Sequence, residues 1–158
     1  MSYIRLGNFF QLYSVSGGRE VNEGRYNNVT PGRSLSYGGA SYSYLSFIYQ
    51  GAAKNRTGDN LEAQIVLSVN EISTGISRKA VNNRWHVRVY SATMTASGTV
   101  AKVLTIEDWI AASMSYDNQT LEIVLSSGID AVGANAPTRV LTRPLVGHLP
   151  VTANIQTQ

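Results

Sequence analysis

The feature that most constrains the fold of this chain is an alternation of apolar and polar residues with a period of two. In residues 61–69 every odd position is apolar, whereas the even positions are mostly polar. Residues 85–89 and 121–126 repeat the pattern. Because successive side chains of a β-strand point to opposite faces, this alternation predicts three half-buried strands.

The turn residues predict that the strands pair mainly in the antiparallel direction. Gly38-Gly39 predicts a hairpin between residues 34–37 and 40–49, since paired glycines supply the positive φ angles of two-residue turns. A second turn at residues 116–119 places residues 111–116 antiparallel to 120–126. Residues 70–83 carry apolar positions at spacing four behind a possible N-cap, Asn70, and predict one short helix. The predicted fold class is therefore all-β, mainly antiparallel, with one short helix.

The length of 158 residues fits a single domain, residues 1–158. We expect its core at about residues 34–127. Gly and Pro punctuate the chain after Ser127 and leave residues 139–142 as a possible strand. Residues 1–33 and 128–158 are predicted to be loops or extended N- and C-terminal arms that contact other subunits, with the alternative that residues 4–15 form a strand between loops.

Residues able to carry chemistry are sparse. The chain has no Cys and two His, of which His86 lies mid-strand and His148 lies in the Pro-containing tail. Glu107 and Asp108 are neighbours on a predicted strand and so point to opposite faces. No nucleophile elbow, phosphate-binding loop or spaced metal-ligand set occurs. We therefore predict that the chain is not an enzyme and holds no cofactor and no metal.

The net charge of +3 does not indicate a nucleic-acid surface, because the arginines are spread along the chain without a basic run. No stretch approaches the ~20 apolar residues that span a bilayer, and no signal peptide is visible at the start of the sequence. We expect no specific nucleic-acid partner and no membrane association, and a chain that is intracellular or assembled into a particle.

Tyrosine is the enriched residue type and supplies the candidate interface. Tyr37, Tyr42 and Tyr44 crowd the predicted hairpin. They either pack as cross-strand aromatics or face a neighbouring subunit, since Tyr is favoured where one end of the side chain stays polar. A different class of function stays open, in which these tyrosines and Trp85 or Trp109 form a stacking platform of a carbohydrate- or receptor-binding β-module of a virion.

The order of these features resembles a known family. A Tyr-Gly-Gly hairpin is followed by a long alternating strand that ends in Val-Asn, a short helix, an Arg- and Val-rich strand, a final hairpin and a Pro-Thr-Arg segment. The corresponding residues are 37–42, 61–70, 71–83, 84–90, 114–130 and 137–139. This order resembles the tail-tip or baseplate hub proteins of tailed bacteriophages, in particular the N-terminal domain of the minor tail protein L type and related small tail proteins.

The resemblance covers roughly residues 34–140 and implies a split β-barrel hub domain. It implies a structural protein of the virion, assembled in the host cytoplasm, that forms a ring around the tail axis at the distal end and joins the tail tube to the hub. The partners would be further copies of the chain, with a hexamer favoured, and the neighbouring tube and hub proteins. Longer members of the family carry a Cys-ligated Fe–S domain, and the absence of Cys here separates this chain from them.

Overall fold

The computed structural model describes residues 4–51 and 62–128. Most of these residues lie in strands, and the described part of the chain contains one helix. In chain order the elements are β1 (Arg5–Ser16), β2 (Arg19–Asn27), β3 (Leu35–Tyr37), β4 (Ala40–Tyr44), β5 (Phe47–Gln50), β6 (Glu62–Ser68), α1 (Glu71–Asn82), β7 (His86–Met94), β8 (Val100–Tyr116) and β9 (Thr120–Ser126). The predicted class, mostly β with one short helix, is confirmed.

The strands form one mixed sheet in the order β3-β4-β2-β1-β7-β8-β9-β6-β5. All neighbours are antiparallel except β2 and β4, which pair in parallel over two residue pairs. The predicted hairpin around Gly38-Gly39 is confirmed, and both glycines have positive φ. The strand predicted for residues 40–49 is instead interrupted at Leu45 and Ser46, where β4 ends and β5 begins.

The sheet curls strongly, because β4 and β5 lie seven strand spacings apart in the sheet order but are separated by two residues in the chain. In a flat sheet they would be about 34 Å apart, whereas such a connection spans about 10 Å. The two ends of the sheet therefore meet. Leu45 N–H donates to the Asn27 carbonyl at 2.9 Å, and Asn28 Nδ2 donates to the Phe47 carbonyl at 3.2 Å. The sheet is nevertheless not closed into a barrel.

The main core fills the inside of this curl, and α1 contributes Ala80 to it. Phe10 contacts Phe47 across the place where the two ends of the sheet meet, with ring centroids 4.8 Å apart. A second, smaller core lies on the opposite face of β1 and β7 and is formed around Phe9. The neighbouring residues Phe9 and Phe10 of β1 thus pack in two different cores.

This arrangement corrects the prediction that residues 1–33 are loops or an arm and that the core begins at residue 34. Residues 5–16 and 19–27 are strands β1 and β2, and β1 lies in the interior of the sheet. A strand buried on both faces shows a run of apolar residues and not an alternation. That explains why residues 9–13 show no alternation of apolar and polar residues. The predicted arm at residues 128–158 lies outside the described residues apart from Gly128.

Helix α1 confirms the predicted helix and its N-cap. Asn70 Oδ1 accepts a hydrogen bond from Ser73 N–H at 2.7 Å, and Ser73 Oγ accepts one from Asn70 N–H at 3.0 Å. Ser73 Oγ also donates to the Ser68 carbonyl at 2.6 Å. The reciprocal bonds satisfy the first backbone donors of the helix and tie it to the end of β6. They anchor the start of α1, and Ala80 further along the helix packs in the main core.

One turn further along, Ser77 is fully buried, and its hydroxyl has no hydrogen-bond partner in the part of the chain that the structure describes. It faces a small void lined by apolar side chains that include Leu12, Ile65 and Val87. Because an unpaired buried hydroxyl is destabilising by about 1–3 kcal/mol, we expect Ser77→Ala to raise the free energy of unfolding by about 1 kcal/mol. Urea unfolding measures this change.

Ser73→Ala is the matched control, because Ser73 is equally buried but forms the capping bonds. We expect it to lower the free energy of unfolding by about 1 kcal/mol. A loss of stability in both variants would show that the Ser77 hydroxyl has a partner in solution.

Candidate functional site

The candidate interface tyrosines lie on the β3–β4 hairpin, which folds against one face of β1 and β7. Tyr42 is 2% exposed and packs edge-on against Phe9, with ring centroids 4.9 Å apart. Phe9 also stacks on Tyr90 at 4.8 Å, and Tyr37 packs against the same two rings at 5.2 and 5.7 Å. The four rings form the centre of the smaller core.

Burial of Tyr42 corrects its assignment to a subunit interface. Its side chain is enclosed within a single chain, and this burial raises the pKa of its phenol to about 12. Both Tyr37 and Tyr42 pack against Phe9 within the chain, but Tyr37 is half-buried and stays a candidate contact residue. Tyr44, which follows on β4, is 37% exposed and stays a candidate contact residue.

A feature not found by sequence reasoning is the unequal pairing of β8. On one side β8 pairs with β7 from Val100 to Ile110. On the other side it pairs with β9 only from Ile110 to Tyr116. Among the described strands, none pairs with residues 100–109 on the β9 side. We call this ten-residue stretch the open edge of β8.

The open edge carries exposed apolar side chains. Leu104 is 52% exposed and Ile106 is 56% exposed. Glu107 and Asp108 follow, with Asp108 opposite Arg88 and Ile106 opposite Tyr90 on β7. An open backbone edge with apolar side chains is a template for pairing with another strand, and natural sheets usually cover or charge such edges.

A polar cluster occupies the outer face of β1, β2, β7 and β8 beside the smaller core. Arg88 forms ion pairs with Glu20 and Asp108, each at 2.9 Å, and its guanidinium lies 4.8 Å from the centre of the Tyr13 ring. Tyr13 in turn stacks on His86 at 5.0 Å. The hydrogen bond from Arg88 holds the pKa of Glu20 below its ordinary value, and burial, with Asp108 nearby, raises that of Tyr13.

This cluster joins four strands through shared polar contacts. The guanidinium of Arg88 is shared between two carboxylates, and Tyr13 Oη donates to Asp108 Oδ1 at 3.2 Å. Both carboxylate side chains are about half exposed, so their ion pairs contribute modestly to stability. His86, considered in the sequence as a lone strand histidine, lies in an aromatic stack at the margin of this cluster.

Glu107 and Trp109 face the inside of the curl and meet Tyr49 there. Tyr49 Oη donates to Glu107 Oε2 and accepts a hydrogen bond from Trp109 Nε1 at 3.0 Å. Burial raises the pKa of Tyr49 above its ordinary value, and the bond to Glu107 adds to this. Trp109 is buried in the main core. The expectation that Trp109 could belong to an exposed stacking platform is therefore wrong.

Within residues 4–51 and 62–128 no three His, Asp or Glu side chains lie close enough together to hold a metal ion. The described part of the chain also has no helix with the length and apolar character needed to cross a membrane. A scan against models of known protein families gave no match, and a search of curated proteins gave none either. The bacteriophage resemblance therefore stays a prediction.

Proposed function

We propose that this chain is a non-catalytic structural subunit that assembles with identical copies into a ring, as a component of a bacteriophage tail tip or baseplate. The observation that carries the assembly role is the open edge of β8 with exposed Leu104 and Ile106. Such an edge favours pairing with another strand. The order of segments in residues 34–140 supports a place in the tail.

The finer architecture in this proposal is a split β-barrel hub domain. The curl of the sheet and the hydrogen bonds between Asn27 and Leu45 and between Asn28 and Phe47 support it, since they bring the two ends of the sheet together. A hexameric ring around the tail axis is the favoured assembly, with the tail tube and the hub as flanking partners. The proposed location is the distal end of the tail, and neither nucleic acid nor membrane is a proposed partner.

The alternative of a carbohydrate- or receptor-binding module loses its main residues. A stacking platform needs exposed aromatic rings, but Tyr42 and Trp109 are buried, and Trp85 is partly buried against the main core. Tyr44 and Tyr116 are exposed aromatic residues on different strands, and neither belongs to the ring cluster around Phe9. The structure gives this alternative no specific support.

Native mass spectrometry of the purified chain tests the proposed assembly. We expect a closed oligomer, six times the 17.1 kDa mass of one chain, with a central opening in negative-stain images. Ile106→Lys on the open edge should reduce the oligomer at least tenfold at equal concentration, because a charge on an edge strand opposes strand addition.

The matched control is Ile48→Lys, which places the same charge at another exposed isoleucine, on the edge strand β5. It should leave the oligomer unchanged. A parent chain that stays monomeric in the presence and absence of purified tail tubes would contradict the proposed function.

A further inference from the structure

Arg25 on β2 carries a guanidinium that the polar cluster of the outer face does not use. The strand register places Arg25 directly opposite Gln11 of β1, and Gln11 lies in turn opposite Arg88 of β7. Because directly paired residues share one face of a sheet, these three side chains form a row across the outer face. We propose that Arg25, with Gln11 beside it, is a binding site for a carboxylate group. The site lies on β1 and β2 and does not depend on the proposed ring assembly.

The two guanidiniums of this row differ in their partners. Arg88 is neutralised by Glu20 and Asp108, each at 2.9 Å. Arg25 forms no ion pair with a carboxylate in the part of the chain that the structure describes. Glu23, two positions earlier on β2, instead accepts a hydrogen bond from a serine hydroxyl of β1 at 2.7 Å. The row therefore carries one positive charge that no described carboxylate balances.

The packing of Arg25 presents its guanidinium to a ligand. The side chain is half-buried, and its Nε atom is enclosed without a hydrogen-bond partner among the residues described. The two Nη atoms are not enclosed in this way, so the outer end of the guanidinium stays accessible. Because the stem of the side chain is packed, less conformational entropy is lost when the terminal donors bind an anion.

The neighbours of Arg25 strengthen an interaction with an anion. Burial raises the pKa of the Tyr42 phenol, and the positive charge of Arg25 acts against this rise. The guanidinium therefore lies near Tyr42, at the margin of the smaller core, where charges are less screened than in open solvent. Gln11 is 9% exposed and adds an amide whose N–H groups can donate to an anion.

A carboxylate suits this site better than a phosphate. Its single negative charge equals the charge of Arg25, and its two oxygens match the paired donors of a guanidinium. A phosphate monoester carries a charge of about −1.5 to −2 at pH 7. Glu20 and Asp108 lie on the same face as Arg25 and would repel the excess negative charge.

Saturation-transfer NMR of the acetate methyl group measures binding to the full-length chain, at an ionic strength held constant with chloride. We expect saturable binding of acetate. Arg25→Gln should weaken it about tenfold, because the charged donors are lost, and Arg25→Lys should weaken it less, because the charge remains without the fork. The matched control Arg19→Gln removes an exposed arginine from the same strand and should leave the affinity unchanged.

Gln11→Glu tests the site without a loss of positive charge. It places a carboxylate directly opposite Arg25, so we expect acetate binding to be abolished. Circular dichroism checks that each variant is folded. If Arg25→Gln does not fold, Arg25→Lys and Gln11→Glu still decide the outcome, since both keep a polar side chain of similar size at its position.

Two blocked peptides, identical except for a single Glu or Gln, identify the source of the carboxylate. Tighter binding of the Glu peptide than of acetate assigns the site to a protein side chain, whereas equal binding assigns it to a free carboxylate. Methyl phosphate should compete with acetate about tenfold less well than acetate itself binds, because of the nearby carboxylates.

Three results would overturn the inference. They are an absence of saturable acetate binding, an equal loss in Arg25→Gln and Arg19→Gln, and tighter binding of methyl phosphate than of acetate. Asp59 and Asp130 lie outside the described residues and are replaced by Asn in a further variant. Acetate binding that appears only in that variant would show that a carboxylate of the chain itself occupies the site, and would overturn the inference as well.

Discussion

Phe10→Ala should lower the free energy of unfolding by about 3–5 kcal/mol, a loss comparable with the whole stability of many small domains. Phe10 is 2% exposed and lies where the two ends of the curled sheet meet. Its ring packs against Phe47 at 4.8 Å and Tyr26 at 5.5 Å. Removing the ring leaves a cavity between β1 and β5, and neither strand can close it without breaking the sheet.

Leu6→Ala is the matched control, since Leu6 lies on the same face of the same strand but is 71% exposed. We expect this variant to change the free energy of unfolding by less than about 0.5 kcal/mol. Equilibrium urea denaturation followed by tryptophan fluorescence measures both variants. Equal, small effects would mean that the N-terminal residues are an arm after all and that β1 does not belong to the core.

The two N-terminal strands, β1 and β2, are the part of the sheet that the sequence pattern does not predict. Strands β6 and β9 have one buried face each, so their apolar residues alternate, and the first half of β7 alternates in the same way through Val87 and Val89. β1 is buried on both faces, and β2 is mostly exposed, so neither shows the alternation. Their strand character depends on partners far away in the sequence, such as the pairing of β1 with β7.

The helix was predictable because its signals are local. Asn70 precedes the helix as its N-cap, and Ser73, three residues later, completes the capping box with it. The candidate site was not predictable to the same degree. Tyr42 and Tyr44 share one face of β4, so the burial of each depends on how far along the strand the packing against Phe9 extends, and this contact is made across more than thirty residues of sequence. The open edge of β8 begins where β9 stops pairing with it, at Ile110. The sequence of β8 contains no turn residue or change of pattern that would predict this point.

Substitutions of the two tyrosines of β4 test two different roles of the β3–β4 hairpin, one in folding and one in assembly. Tyr42→Ala should lower the free energy of unfolding by about 3 kcal/mol, because it removes a ring that packs against Phe9 and Tyr90 in the smaller core. Tyr44→Ala removes a partly exposed ring from the same strand and should change the free energy of unfolding by less than about 1 kcal/mol. Thermal and urea unfolding of the two variants measure the difference.

Under the proposed ring assembly, the same two variants should also differ in the fraction of chains that form the oligomer. Native mass spectrometry measures this fraction at a temperature where both variants are folded. Tyr44→Ala should lower that fraction if the exposed ring contacts a neighbour, since partly exposed Tyr side chains commonly contribute to protein interfaces. Tyr42→Ala should lower it only as far as the fold itself is lost, because its ring is enclosed within one chain. A stable Tyr44→Ala chain with an undiminished oligomer would remove the β3–β4 hairpin from the interface and leave the open edge of β8 as the surface that joins the subunits.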